Sequence, residues 1–167
     1  MNTFVRAAQL ADAEAIATVH VAAWRWAYDG LMPASLLAGL DTADRTKQWQ
    51  RQLCSGDSGV FVAEQHGTIV GFVSCGPCRD GSGNAEIYAL YLDRSVQGQG
   101  VGRALWQHAA DWLRAGDYEQ VQVWVLDTNT LARGFYETAG LKADGRSKTS
   151  QWAGAPLNEV SYSGPLT

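Results

Sequence analysis

Gly98, Gly100 and Gly102 stand at every second position of Gln97-Gly98-Gln99-Gly100-Val101-Gly102-Arg103, between a strand-forming run, Ala85–Leu92, and a run with helical spacing. Such a loop crowds bare backbone N–H groups on one side while the helix start supplies about half a positive charge, which suits it to a phosphate or pyrophosphate. A P-loop would carry a Lys after its last glycine, and a dinucleotide fingerprint would place its third glycine one residue later, so neither nucleotide pattern is met. A merely tight strand-to-helix turn is the plain alternative. Cys75-Gly76-Pro77-Cys78 spells a redox tetrapeptide, but the turn-like Arg79-Asp80-Gly81-Ser82-Gly83-Asn84 follows where a helix N-terminus would be needed to lower a thiol pKa. Cys54, His20, His66 and His108 are scattered without a second close pair, so no zinc site and no other metal is expected.

The elements that must position this loop follow from periodicity. A short strand over residues 3–7 precedes a helix over 10–28, whose stripe of Ala13, Ile16, Ala17, His20, Val21, Trp24 and Tyr28 recurs at i, i+3, i+4. Trp26 falls off that stripe, which favours an acceptor pocket or an interface for it over core packing. A second helical stretch spans 33–53 after the breaker Asp29-Gly30-Leu31-Met32-Pro33. Residues 60–64 and 69–74 read as a hairpin, residues 101–115 as a helix with Val101, Leu105, Ala109, Trp112 and Leu113 inward, and Gln120–Leu126 as a strand. Asn129 can cap a short helix with Ala132, Phe135 and Tyr136 inward, and a closing hairpin over 142–152 and 158–165 turns around Ala153-Gly154-Ala155-Pro156. This order fits only the mixed α/β class.

The composition narrows the function from outside. The 167 residues are the length of one domain, 46% hydrophobic and 18% charged, and no apolar run approaches a membrane span. A formal charge of −4 without a clustered basic face gives no footprint for nucleic acid and only weakly favours a cationic substrate. Met1-Asn2-Thr3-Phe4-Val5-Arg6 is unlike a signal peptide, so a cytoplasmic protein without membrane partners is expected.

Two patterns together resemble a known family. Gln97-x-x-Gly100-x-Gly102 after an apolar strand is similar to the acetyl-CoA pyrophosphate loop of the GNAT superfamily of N-acetyltransferases. Asn129-x-x-Ala132-x-x-Phe135-Tyr136-Glu137-x-x-Gly140-Leu141 begins 27 residues beyond Gly102 and resembles a second motif of that family. The resemblance covers most of the chain and is weakest at the closing hairpin, where Ser163-Gly164-Pro165 replaces a basic strand end. Asp93-Arg94 likewise stands where relatives carry a proline.

What the resemblance implies is a GNAT fold: an α/β (α+β) architecture with a mixed, mostly antiparallel sheet of about seven strands, splayed between the fourth and fifth and flanked by four helices. It implies an N-acetyltransferase passing acetyl from acetyl-CoA directly to a primary amine of a small molecule or peptide. Backbone N–H groups of Gln97, Gly98, Gln99, Gly100, Val101 and Gly102 would take the pyrophosphate, with Arg103 nearby. The pantetheine arm would pair with Leu90, Tyr91 and Leu92, where relatives carry a strand-splaying bulge, a backbone N–H near Leu90 would face the thioester oxygen, Asn129 would reach the arm from the opposite wall, and Tyr136 would protonate the departing thiolate. Glu86, four residues before Leu90 and on the same face by strand alternation, is the candidate base. An ordinary carboxylate, near pKa 4.3, facing a lysine-type amine near 10.4 is mismatched by about 8 kcal/mol, so a water relay or capture of the free amine is favoured over direct abstraction. Trp24, Trp26, Tyr28 and Glu86 are the candidate acceptor contacts. The alternative is an acyl-CoA-binding module without catalysis, which the joint presence of Glu86 and Tyr136 disfavours. An exposed closing hairpin makes a homodimer the default assembly.

Overall fold

His66 and Gly67, both with positive φ (51° and 75°), make the tight turn that folds β2 (Gly59–Gln65) back on β3 (Thr68–Pro77). Paired left-handed residues match the right-handed twist of the two strands they join. The computed structural model describes residues 2–152 and 154–166, and there the strands form one sheet in the order β1-β2-β3-β4-β5-β7-β6. The remaining strands are β1 (Phe4–Ala7), β4 (Ala85–Leu92), β5 (Gln120–Leu126), β6 (Lys142–Trp152) and β7 (Ala155–Pro165). Every pairing is antiparallel except β4 with β5. The mixed, mostly antiparallel sheet expected from sequence is present. Ala153, placed by sequence in the closing turn, lies outside the described residues.

Among the described residues five helices rather than four flank the sheet: α1 (Ala13–Ala27), α2 (Ala34–Ala38), α3 (Thr42–Ser55), α4 (Val101–Ala115) and α5 (Thr130–Thr138). The helical stretch expected over 33–53 divides because Asp41 takes an extended conformation and accepts hydrogen bonds from the Ala43 and Asp44 N–H groups, starting α3 afresh. Arg25 of α1 holds the break by donating to the Leu37 and Leu40 carbonyls at 3.2 and 2.9 Å.

The two faces of the sheet bury different cores. Ile87, Leu105, Leu113, Val121 and Tyr162 pack on the α4 side, while Ile16, Ala17, Trp49, Val62 and Phe72 pack on the α1 and α3 side. Trp112, expected inward, is 39% exposed and lays its ring across Gly59, where a Cβ would come within 2.9 Å of it.

Two irregularities in β4 shape everything that follows. Ser74 pairs with Ala89 but Cys75 with Ile87, so Tyr88 is an extra residue, a bulge. The bulge reverses the alternation: Leu90 packs in the same core as Ile87, while Ala89 and Tyr91 pack on the opposite side with Phe72. Glu86 and Leu90 therefore lie on opposite faces, which overturns the same-face argument drawn from simple alternation. In addition, β4 and β5 pair only at Ala85–Val121, Glu86–Gln122 and Ile87–Val123, after which they diverge. The sheet is splayed there, between its fourth and fifth strands.

Candidate active site

The divergence of β4 and β5 opens a cavity of about 1180 Å³ that runs from the glycine loop, through the gap in the sheet, to the aromatic surface beside α1. Its first end is the start of α4. Gly98 and Gly100 take φ of 73° and 81°, a region that costs other residues about 1–2 kcal/mol, and Gly100 caps the helix without a side-chain partner. The first N–H groups of α4 are thus left for an anion. Gly102 is needed for a different reason, because a Cβ there would sit 3.2 Å from the Phe135 ring of α5 and 3.5 Å from Leu92. Gln97, Gly98, Gly100, Val101, Gly102 and Arg103 line this end of the cavity.

Along the gap, the backbone of β4 is half committed. The Asp93 N–H donates to the Val70 carbonyl at 2.8 Å, and hydrogen-bonded and open pairs alternate along an antiparallel ladder. Tyr91 accordingly exchanges its backbone bonds with Phe72, whereas Leu90 and Leu92 turn their N–H and C=O groups toward the side that β5 has left. On the opposite wall, Asn129 accepts a hydrogen bond from the Ala132 N–H at 3.1 Å and so caps α5, which leaves its amide NH₂ for another partner.

Tyr136 of α5 is 5% exposed, edge-on to Trp106 and Phe135, and lines the cavity where the two ends meet. Burial, aided by the nearby Tyr91 hydroxyl, raises its phenol well above the usual value near 10. Tyr91 and Tyr28 share a hydrogen bond at 3.0 Å, and both are likewise pushed up by burial.

Glu86 is 2% exposed with both oxygens taken: Oε1 accepts the Arg79 backbone N–H at 3.1 Å, and Oε2 accepts the Arg79 guanidinium. Arg79 in turn lies 5.0 Å over the Tyr88 ring. A carboxylate so committed orients the Arg79 turn, with three of its four lone-pair sites taken by Arg79. Glu159 of β7, to which no role was assigned from sequence, also lines the cavity, and its charge adds to the raised pKa values of Tyr28 and Tyr91.

The acetyltransferase (GNAT) family model matches residues 20–141 of the chain. The chain belongs to the GNAT family. An uncharacterized N-acetyltransferase of Bacillus subtilis, YuaI, is 37% identical over 128 residues, which cover 75% of this chain and 72% of that protein. A probable N-acetyltransferase of Mycobacterium tuberculosis is 29% identical over 167 residues, covering 96% and 92% of the two chains. Among solved structures, the PaiA N-acetyltransferase of Thermoplasma acidophilum in complex with coenzyme A shares the fold at a TM-score of 0.74, with 18% identity over 96% of this chain and 98% of that one. A putative acetyltransferase of Salmonella typhimurium with acetyl-CoA does so at 0.73, with 21% identity over 100% and 95%.

As a GNAT acyltransferase, the chain brings together most of the residues singled out from its sequence. Trp24, Trp26, Tyr28, Glu86, Leu90, Tyr91, Leu92, Asn129 and Tyr136 all border the one cavity. The closing hairpin was expected to supply part of the acceptor wall, but no residue of it was singled out from sequence: Lys148, Ser150, Trp152, Leu157 and Glu159 line the far end, with the Trp152 ring 5.6 Å from that of Trp24. The aromatic residue at the end of β6 was the available signal, but nothing local announces that β7 pairs with β5 and carries β6 with it. Cys75 and Cys78 are free and buried, and burial pushes both thiols up, Cys75 to about 12, opposite to what redox chemistry needs. No helix among the described residues is long and apolar enough to cross a membrane.

Proposed function

We propose that the protein transfers the acetyl group of acetyl-CoA to a primary amine within a ternary complex. The observation that carries this reading is the gap in the sheet, where the unpaired backbone of Leu90 and Leu92 lies between a helix start with free N–H groups and an aromatic pocket. The pyrophosphate would rest on residues 97–102 with Arg103 beside it, and the pantetheine arm would complete the missing pairing along Leu90 and Leu92. In attack by the amine nitrogen on the thioester carbon, a nitrogen–carbon bond forms as the carbon–sulfur bond breaks. The backbone N–H of Leu90 would stabilise the developing oxyanion, a contribution of about 3–4 kcal/mol for a preorganised donor. Tyr136 would hydrogen-bond the leaving thiolate, and the proton lost from the amine ends on the thiol.

Glu86 acts here as a positioning residue. Its commitment to Arg79 supports capture of the amine in its free-base form, so kcat/KM rises with pH through the titration of the amine. The acetyl donor, the cytoplasmic setting and a homodimer belong to the same proposal. For the homodimer, the bulge between Ala143 and Ser147 and the charges of Lys142 and Lys148 disfavour pairing through the β6 edge, so a face of the molecule would have to serve. Thiol release from acetyl-CoA, followed over pooled primary amines and peptides, tests the reading. Amine-dependent release with stoichiometric N-acetyl product is expected, and stabilisation by acetyl-CoA without turnover on any pool would overturn it.

A further inference from the structure

The aromatic end of the cavity has an unbalanced charge. Arg79 is paired with Glu86 and Lys148 with Glu159 at 3.8 Å, so three cations meet two carboxylates. The cation left over is Arg45 of α3, half-buried, which lines the cavity and has no carboxylate partner among the described residues. Its Nη1 donates to Gln48 Oε1 at 2.9 Å, and its guanidinium carbon lies 5.9 Å from the Trp24 ring centroid. Desolvation lowers its pKa, the mark of a guanidinium drawn out of water without a counter-ion.

A second, independent feature stands beside it. Trp24 is 9% exposed and borders the cavity, its ring centroid 5.1 Å from that of Tyr28 and 5.6 Å from that of Trp152. His20 next to Trp24 adds no charge: Trp49 donates to its Nδ1 at 3.1 Å, and burial, with Arg45 nearby, lowers its pKa to about 3. The guanidinium donates, and the local surplus is one positive charge. The chemistry that complements it is a singly charged, planar acceptor, a carboxylate. Around it the walls are apolar: Tyr28, Met32, Trp152 and Leu157.

We propose that the acceptor is an amino acid with a large apolar or aromatic side chain, its carboxylate held by Arg45 and its amine turned toward the gap at Leu90. This rests on the N-acetyltransferase reading above and sharpens it. The same surplus repels polycations, so polyamines are poor acceptors despite the net negative charge of the whole chain.

Matched pairs of acceptors test it: L-phenylalanine against 2-phenylethylamine and L-leucine against isoamylamine, with spermidine as the polycation, each assayed by thiol release from acetyl-CoA. The amino acid is expected to exceed its decarboxylated partner in kcat/KM by roughly 10-fold or more, the usual size of a charge-assisted hydrogen bond. Arg45→Gln should cut that ratio by about the same factor, and Arg45→Lys should keep part of it. Equal or better turnover of the decarboxylated amines or of spermidine by the wild type overturns this inference while the acetyltransferase reading stands, as does a ratio unmoved by Arg45→Gln. Turnover of neither amino acids nor amines overturns the acetyltransferase reading and this inference together. Should Arg45→Gln fail to fold, as judged by its thermal unfolding, the wild-type ratio decides alone.

Discussion

Tyr136 sits between Trp106 and Phe135 with its phenol moved away from ionisation by burial, while a free thiol has a pKa near 8.5. Outright proton transfer from such a phenol to a thiolate is uphill, so the group works as a hydrogen-bond donor to the sulfur until the amide nitrogen has given up its own proton. Tyr136→Phe is expected to lower kcat by about 10²-fold and leave the KM for acetyl-CoA within about 3-fold, in steady-state assays from pH 7 to 10. The wild type should show no loss of kcat as pH 10 is approached, because the raised phenol stays protonated; a falling limb centred near 10 would show an ordinary tyrosine instead. At Glu86 the expectation is different. Glu86→Gln should lower kcat by about 10-fold or less with acetyl-CoA affinity unchanged, and Arg79→Gln should reproduce that loss. The double variant should be no worse than either single one, since the two side chains act as a unit.

At the scale of elements, β4 is the part whose chemistry depends on its backbone. Leu92→Pro removes an N–H that faces the gap, whereas Tyr91→Pro removes one that bonds to Phe72. The first is expected to yield folded protein with acetyl-CoA binding weakened by about 10-fold or more, and the second to yield little folded protein, checked by circular dichroism and by thermal shift with acetyl-CoA. The glycine loop and the Asn129–Leu141 helix were legible in the sequence because each is a short-range pattern whose glycines, cap and apolar stripe are local. A bulge was implied by the resemblance at Leu90 to Leu92, but its place at Tyr88 was not legible, since an extra residue in one strand shows only against its partner, and it reversed the expected placement of Glu86 relative to Leu90. The break before α3 was marked by Asp41, a cap residue that could have been read. The lining of the aromatic end by Trp152 and Glu159 follows from β7 lying between β5 and β6, a long-range pairing that no local pattern encodes.

For the molecule as a whole, His20 links stability to pH. Its folded pKa of about 3 lies below the unfolded value near 6.5, so its contribution is full above the unfolded value and is lost as the pH falls from there toward 3. At pH 5 the loss is about 2 kcal/mol. Urea unfolding at pH 7.5 and pH 5 should show it, and His20→Gln should reduce the difference between the two pH values. A last consequence belongs to the three-residue pairing of β4 with β5. A strand in the middle of a seven-stranded sheet ordinarily protects every amide from solvent deuterium, yet beyond Ile87 this one should label like an edge. The Leu90 and Leu92 amides should exchange within seconds to minutes while their neighbour Tyr91 stays protected, and adding acetyl-CoA should slow those two alone. An alternating pattern of exchange along a single strand would then record, residue by residue, which donors the fold keeps for itself and which it holds open for a partner.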